Sequence, residues 1–567
     1  MRQECNHACF SLKSLSRLTA LCLASLPSLA SAAPGCAAVA LDGRSLTLAQ
    51  IEAVARHDCP VSLDANARQR VERAHALLLA YAKLDRPVYG LNRGVGLNKD
   101  QTIFEGGEIS PAVRARSEQF NRDLLNSHSA AYGEAVPREV ARAALLIRLN
   151  TALTGGAGLQ PQVVQGYADL LNHGITPVLF GDGSVGEADI TVLAPIGLAL
   201  MGEGEVDYRG RRMAAADALQ QAGLTPLRLY GKDGLGVVSA NAYGAALASL
   251  AARDVARLLA QADAVAALSL EGLGGNLAPL LPVTQAQRPF AGQQAAASHM
   301  RELLQGSSLW QPDPQRALQD PLSFRTASQA HGAARDLLGL LQAQLVLQIN
   351  HADDNPTVVL DAAVPADASA YEKQFYVTQG EVRGAVIPSA SFDPSAWALP
   401  LQGMTVALSQ VAQLSAQRSL RLTESGFTGL ARFLSPGGGA IGYGPVQKSV
   451  SSLAAGVRSL AQPVMTDVQP QAGNIEDVGS NAPWIAQRLG QQVAGVNRQL
   501  ALELLLAAQA LDLRRAAHPD YQPGQGTAAL WRSFRQVVPA LTADRRVDQD
   551  LARAHAFLAA HRRQSPP

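Results

Sequence analysis

Leu247, Leu250, Ala251, Val255, Leu258, Leu259, Ala262, Val265 and Leu268 recur at intervals of three and four residues, which places them on one side of a single long helix. Similar stripes run from Leu337 to Ile349, Leu401 to Leu422, Val450 to Leu460 and Leu500 to Leu513. Several of these stretches are rich in Ala and Leu and poor in charge, so they belong inside a bundle or at contacts between subunits. Short apolar runs such as Thr357 to Leu360 are compatible with strands but are few, and no fixed-period repeat occurs. With 567 residues, 47% of them apolar, the chain can bury a large core, and the pattern predicts a mostly α fold. Turn signals at Asp85-Arg86-Pro87, Gly155 to Gly158, Gly272 to Gly275, Asp353 to Pro356 and Ser435 to Gly439 punctuate the helices. Asp361 to Ala370 reads as a surface insertion. The absence of a low-complexity linker after residue 45 favours one intertwined unit, with a loop-rich, site-bearing region over 33–235 and a long-helix bundle with a C-terminal helical region over 236–567.

The N-terminus reads as an export signal covering residues 1–32. Arg2, Lys13 and Arg17 supply positive charge, Leu18 to Leu29 is apolar but too short to span a bilayer, and Ala30-Ser31-Ala32 is a small-residue cleavage site. This predicts a periplasmic or secreted protein. Cleavage removes Cys5, Cys9 and Cys22 and leaves Cys36 and Cys59, a pair that an oxidising compartment could join, with two free thiols as the alternative. The 48 basic and 47 acidic residues nearly cancel, so nothing in the charge balance points to nucleic acid or an anionic membrane.

Several short segments could carry chemistry. Gly181, Gly183 and Gly186 mark a tight loop that feeds an apolar run through Leu193-Ala194-Pro195 to Gly202-Glu203-Gly204. Tyr89-Gly90-Leu91-Asn92-Arg93-Gly94-Val95-Gly96 is a glycine-rich loop headed by a phenol; no Lys-Ser/Thr follows, which argues against a phosphate cradle. Arg325, in Gln319-Asp320-Pro321-Leu322-Ser323-Phe324-Arg325, carries a guanidinium able to grip a carboxylate bidentately. No zinc-type His/Cys spacing and no Gly-x-Ser-x-Gly elbow occurs, so neither a metal site nor a serine hydrolase is expected.

Gly183-Ser184-Val185-Gly186, followed by Leu-Ala-Pro and Gly-Glu-Gly, resembles the core signature of the aromatic amino acid lyases, the family of histidine and phenylalanine ammonia-lyases. The other segments match in order and spacing from Tyr89 to Asp512. The resemblance implies a long-helix bundle of that family's type, a homotetramer with shared sites, and a small amino acid or betaine as substrate. It assigns Tyr89 as the base that takes the β-proton and Glu476, in Ile475-Glu476-Asp477-Val478, as the active-site carboxylate. Ser127-His128 resembles the family's pair near the substrate, and Gln319 and Arg325 its carboxylate grip. Gln447 matches a pocket-bordering segment, with Lys448 as a second carboxylate partner. Arg148-Leu149-Asn150 and Asp354-Asn355-Pro356 are further matches.

The departures carry the functional reading. Where the family has Ala-Ser-Gly, which cyclises to the electrophilic methylidene-imidazolone (MIO), this chain has Glu187, Ala188 and Asp189. Ring closure needs a flexible Gly nitrogen and a Ser hydroxyl that leaves as water, and neither is present, so no MIO cofactor is expected. Ser239 stands at the family's substrate-contacting Asn, with Asn241 two places on. Leu322 replaces a Tyr, and Ala390-Ser391-Phe392-Asp393 keeps the aromatic ring of Gly-Asn-Phe-His while exchanging imidazole for carboxylate. A quaternary trimethylammonium departs as a neutral amine without an electrophile's help, as in the family's ergothionase-type members. The expectation is therefore a betaine lyase, with the onium group near Phe392 and an acid among Glu187, Asp189, Asp393 and Glu476. A conventional ammonia-lyase and a catalytically silent exported binding protein are the alternatives.

Overall fold

A computed structural model describes residues 36–564, apart from residues 85, 108 and 381. The expected export signal, with Cys5, Cys9 and Cys22, lies outside the described residues.

Each apolar stripe lies within a helix longer than itself, because a stripe marks only the buried face. The stripe around Leu258 belongs to the helix Ala242–Leu273, and those around Leu341, Leu408, Val450 and Leu505 to the helices Ala327–Gln348, Ser395–Leu422, Val446–Ser459 and Ala482–Ala517. Ala242–Leu273 is buried on nearly every side, including its polar Arg257, Gln261, Asp263 and Glu271, which a mostly apolar helix carries into the core. It packs along Ala482–Ala517, with Ser395–Leu422, Ala327–Gln348 and Arg138–Ala152 around the pair. Small residues set how closely the central pair approach: a Cβ on Gly272 would stand 2.9 Å from Ala510 Cβ and 3.2 Å from Ala507 O. One apolar core runs from Val39 to Leu558, crossing the expected boundary at residue 235 without a break.

One buried ion pair fixes the register of three of these helices. Arg418 Nε lies 2.5 Å from Glu503 Oε1, both side chains are inaccessible to water, and Ser269 Oγ donates to the same oxygen at 2.7 Å. A pair so far from solvent gains strength from the low dielectric but leaves a costly orphan if either member is lost.

Among the described residues the β-strands are confined to four small sheets, three within 33–235 and one over 357–387. Thr357–Leu360, the run read as a strand, pairs antiparallel with Val382–Ile387, which also pairs with Tyr376–Gln379. Val39–Leu41 and Val61–Leu63 form a parallel pair, beside which Cys36 is bonded to Cys59 with Cα atoms 5.4 Å apart. Residues 361–369 lie between strand and helix as exposed loop, the place read as an insertion.

Replacing Glu503 by Ala strands the Arg418 guanidinium in the bundle. The expected loss is about 3–5 kcal/mol of unfolding free energy, read from urea or guanidinium transitions against the unmodified protein.

Candidate active site

A cavity of about 600 Å³ opens where the glycine-rich loop, the helix Pro111–His128, the turn before Ile190–Leu200 and the 471–478 loop converge. Tyr89, His128, Glu187 and Glu476 all line it, drawn together from four distant stretches of sequence.

Tyr89 is aimed by its loop. Asn92 closes that loop through its side chain, accepting from Val88 N at 2.7 Å and donating to Arg86 O at 2.8 Å. Gly90 sits at φ +71° against the Leu235 side chain, where a Cβ would collide. The phenol oxygen accepts from Gly96 N at 2.7 Å. Burial raises the phenol's pKa; the Gly96 hydrogen bond opposes that rise, and the Glu476 charge adds to it. A base near neutrality needs a lowered phenol pKa, so Tyr89 by itself rests protonated, and a positive charge beside it is required to favour the phenolate.

The helix Pro111–His128 presents Phe120, Asp123, Leu124, Ser127 and His128 to the cavity at helical spacing. His128 Nδ1 lies 2.8 Å from Leu124 O. A carbonyl only accepts, so Nδ1 carries the proton, and in the neutral ring Nε2 is left as an acceptor. Asp123 was missed by the motif reading, although its place one turn before Ser127 was the available signal.

The turn at 184–189 separates the two acids of Glu187-Ala188-Asp189. Gly186 at φ +87° and Ala188 at φ +63° flank Glu187, and the left-handed region costs a residue with a Cβ about 1–2 kcal/mol. The turn is over-determined by its bonds. Ser480 N and Asn481 N both donate to Val185 O, at 3.0 and 2.7 Å, and Ala188 N donates to Asn241 Oδ1 at 3.0 Å. Glu187 faces the cavity, and its Oε1 has no hydrogen-bond partner. Burial, then the charge of Asp393, pushes its pKa up to about 7.

Asp189 does not line the cavity. It is fully buried at the start of Ile190–Leu200, accepting from Ser184 Oγ at 2.6 Å and Gly244 N at 2.8 Å. Burial raises its pKa to about 6 against those hydrogen bonds. Its amide donates to Ala240 O at 2.8 Å. Ser239 and Asn241 are likewise buried behind the wall. Asn241 donates through Nδ2 to Phe392 O, and its own N–H donates to Asp353 Oδ2 at 2.8 Å. Asp393 is exposed beside Glu187 and caps the following helix by accepting from Ser395 N at 2.8 Å.

Contrary to expectation, Phe392 and Asp393 do not line this cavity, and neither do Gln319, Arg325, Gln447 and Lys448. Arg325 Nη1 donates to Gln319 Oε1 at 2.7 Å, Gln447 Nε2 to Thr423 Oγ1 at 2.8 Å, and Lys448 is exposed next to Gln447. Among the described residues no group of three or more His, Cys, Asp or Glu side chains is arranged to hold a metal.

A family model, aromatic amino acid lyase, matches residues 46–536. A histidine ammonia-lyase from Stigmatella aurantiaca is 34% identical over 522 residues, 91% of this chain and 96% of its own length. One from Anaeromyxobacter sp. (strain K) is 35% identical, over 90% of this chain and 96% of its own. Among solved structures, the ergothioneine-degrading enzyme ergothionase from Treponema denticola, in complex with desmethyl-ergothioneine sulfonic acid, superposes with a TM-score of 0.84. It is 35% identical, with 92% of this chain and 99% of that one covered. Histidine ammonia-lyase from Trypanosoma cruzi gives 0.77 at 25% identity, covering 92% and 93%.

Asp189 ties the turn to the helix Ala242–Leu273, so Asp189→Ala leaves Gly244 N without its acceptor in the interior and Ser184 Oγ without its partner at the cavity wall. The expected cost is about 1–3 kcal/mol in denaturant unfolding.

Proposed function

The chain belongs to the aromatic amino acid lyase family and is a carbon–nitrogen lyase, and from that premise we propose that it eliminates trimethylamine from a betaine of the ergothioneine type without an MIO group. The observation that carries this reading is the turn itself. Ala188 has no hydroxyl to lose, and the amide of residue 189, the nucleophile in ring closure, is committed to Ala240 O at 2.8 Å. These residues do not fit the family's electrophile, so no step passes through it.

The cavity suits a substrate that arrives with its leaving group already cationic. Glu187, with Asp393 beside it and Glu476 on the same cavity, offers negative charge where a trimethylammonium can sit, and the unpartnered Oε1 of Glu187 is satisfied by that charge. The bound cation also favours the phenolate of Tyr89, offsetting the burial that keeps it protonated at rest. Tyr89 then takes the proton from the carbon next to the one bearing nitrogen. The electron pair of that C–H bond becomes the second bond of the alkene, the C–N bond breaks, and its pair leaves with neutral trimethylamine. The proton on Tyr89 returns to water by way of Glu476. Phe120 and Leu124 flank the ring of the substrate, and His128 Nε2 accepts from a ring N–H.

Carboxylate binding requires a second copy of the chain. Arg325 and Lys448 are the available cations, and a homotetramer sharing its sites brings them to a neighbour's cavity. Export follows from residues 1–32, and the Cys36–Cys59 bond suits that compartment.

The test is incubation of the purified protein with ergothioneine, hercynine and histidine, following trimethylamine, ammonia and the conjugated acid. Trimethylamine from a betaine, with no ammonia from histidine, is the expected result. Ammonia from histidine with MIO absorbance in the near ultraviolet favours the conventional lyase instead, and no product from any of them favours a binding protein. Tyr89→Phe is expected to lower kcat by about 10²–10⁴-fold with little change in KM. Glu187 is neutral below pH 7 and charged above it, so KM for the betaine should fall about tenfold from pH 6 to pH 8. Glu187→Gln should flatten that dependence.

A further inference from the structure

Asn241 is joined to three segments at once. Its Oδ1 accepts from Ala188 N at 3.0 Å, its Nδ2 donates to Phe392 O, and its own backbone N–H donates to Asp353 Oδ2 at 2.8 Å. Ala188 directly follows Glu187, and Phe392 directly precedes Asp393. One planar amide, fully buried, therefore spans the two backbone strips that carry the two carboxylates.

Those carboxylates repel. Asp393 is the one charged group that raises Glu187 by its proximity, while the other titratable side chains on the cavity, Tyr89, Asp123, His128 and Glu476, come from the opposite walls. Two like charges drift apart unless their backbones are tied; the Glu187 turn is held to its own neighbours through Val185 O and Asp189, and the Asn241 amide is the group that ties it to the Phe392–Asp393 segment. Ala188 lies in a turn at φ +63°, and Phe392 lies in the irregular stretch before Ser395–Leu422. The amide of Asn241 is in turn anchored to Asp353, which also accepts from Gln348 Nε2 at 2.9 Å at the end of Ala327–Gln348.

We propose that Asn241 is a positioning residue whose side-chain amide clamps the Glu187 and Asp393 segments together, so that Asp393 is kept beside the Glu187 carboxylate that faces the quaternary ammonium of the substrate. The inference rests on the reading of this cavity as a betaine site. It moves Asn241 from substrate contact, which motif position implied, to the wall behind it.

The probe is tetramethylammonium, titrated calorimetrically into the full mature chain between pH 5.5 and 8.5. The variants are Asn241→Ala and Asn241→Thr. Thr keeps a polar side chain at the helix start while being too short to reach Phe392. For the unmodified protein, affinity should rise with a midpoint near pH 7, the value for Glu187. In both variants the midpoint should fall by about one pH unit as Asp393 recedes, and affinity at pH 8 should weaken about fivefold or more. Asp393→Asn, which leaves the clamp in place, should lower the midpoint in the same way. A folded Thr variant with an unchanged midpoint and affinity overturns the role of Asn241 alone. An unmodified protein that shows no saturable binding of tetramethylammonium overturns the cation site beneath it, and the clamp with it.

Discussion

The cavity depends on a salt cluster that water does not reach. Arg148, in the helix Arg138–Ala152, donates to Asp354 Oδ1 at 2.7 Å and through Nε to Gly236 O at 2.8 Å, with Lys232 Nζ 3.9 Å from the same carboxylate oxygen. Burial works against the charges of Lys232 and of the neighbouring Asp353, lowering the first to about 8 and raising the second. Such a cluster contributes little net stability compared with apolar packing. What it does is geometric. It pins the 353–356 turn, the turn leading into Asp233–Val238 and the helix Arg138–Ala152 to one point, and Asp353 extends that point to Asn241. The strained turn carrying Glu187 is thereby referenced to the bundle, not to the loops around it.

That arrangement explains which parts of the molecule could be read from the chain alone. The long helices were legible because burial on one face imposes a period that no loop imitates. Their ends were not, since Ser395–Leu422 and Ala482–Ala517 begin on residues that add nothing to the stripe. Tyr89, His128, Glu187 and Glu476 were legible as motif members, and the fold does gather them. The separate fates of Glu187 and Asp189 were not. Two acids two residues apart look equivalent on paper, but a left-handed Ala188 between them turns one toward the cavity and the other into the start of a helix. Motif position likewise says nothing about distance, which is why Gln319, Arg325, Gln447 and Lys448 match the family pattern and yet lie off this chain's own cavity.

The acids of the site also differ in kind. Asp189 is saturated with donors and acts as scaffold, whereas Glu187 keeps an oxygen without a partner and a neighbour of like sign. A buried carboxylate with its bonds made is a rivet; one left short is a request for a positive guest.

The resting phenol of Tyr89 has one more implication. An enzyme that keeps a ready-made electrophile is exposed to every thiol and amine that diffuses past, and can be poisoned by them. On the proposed reading the site holds no electrophile, and Tyr89, a base whatever its protonation, offers such compounds nothing to react with. The site's base, too, stays dormant until a guest of the right charge wakes it.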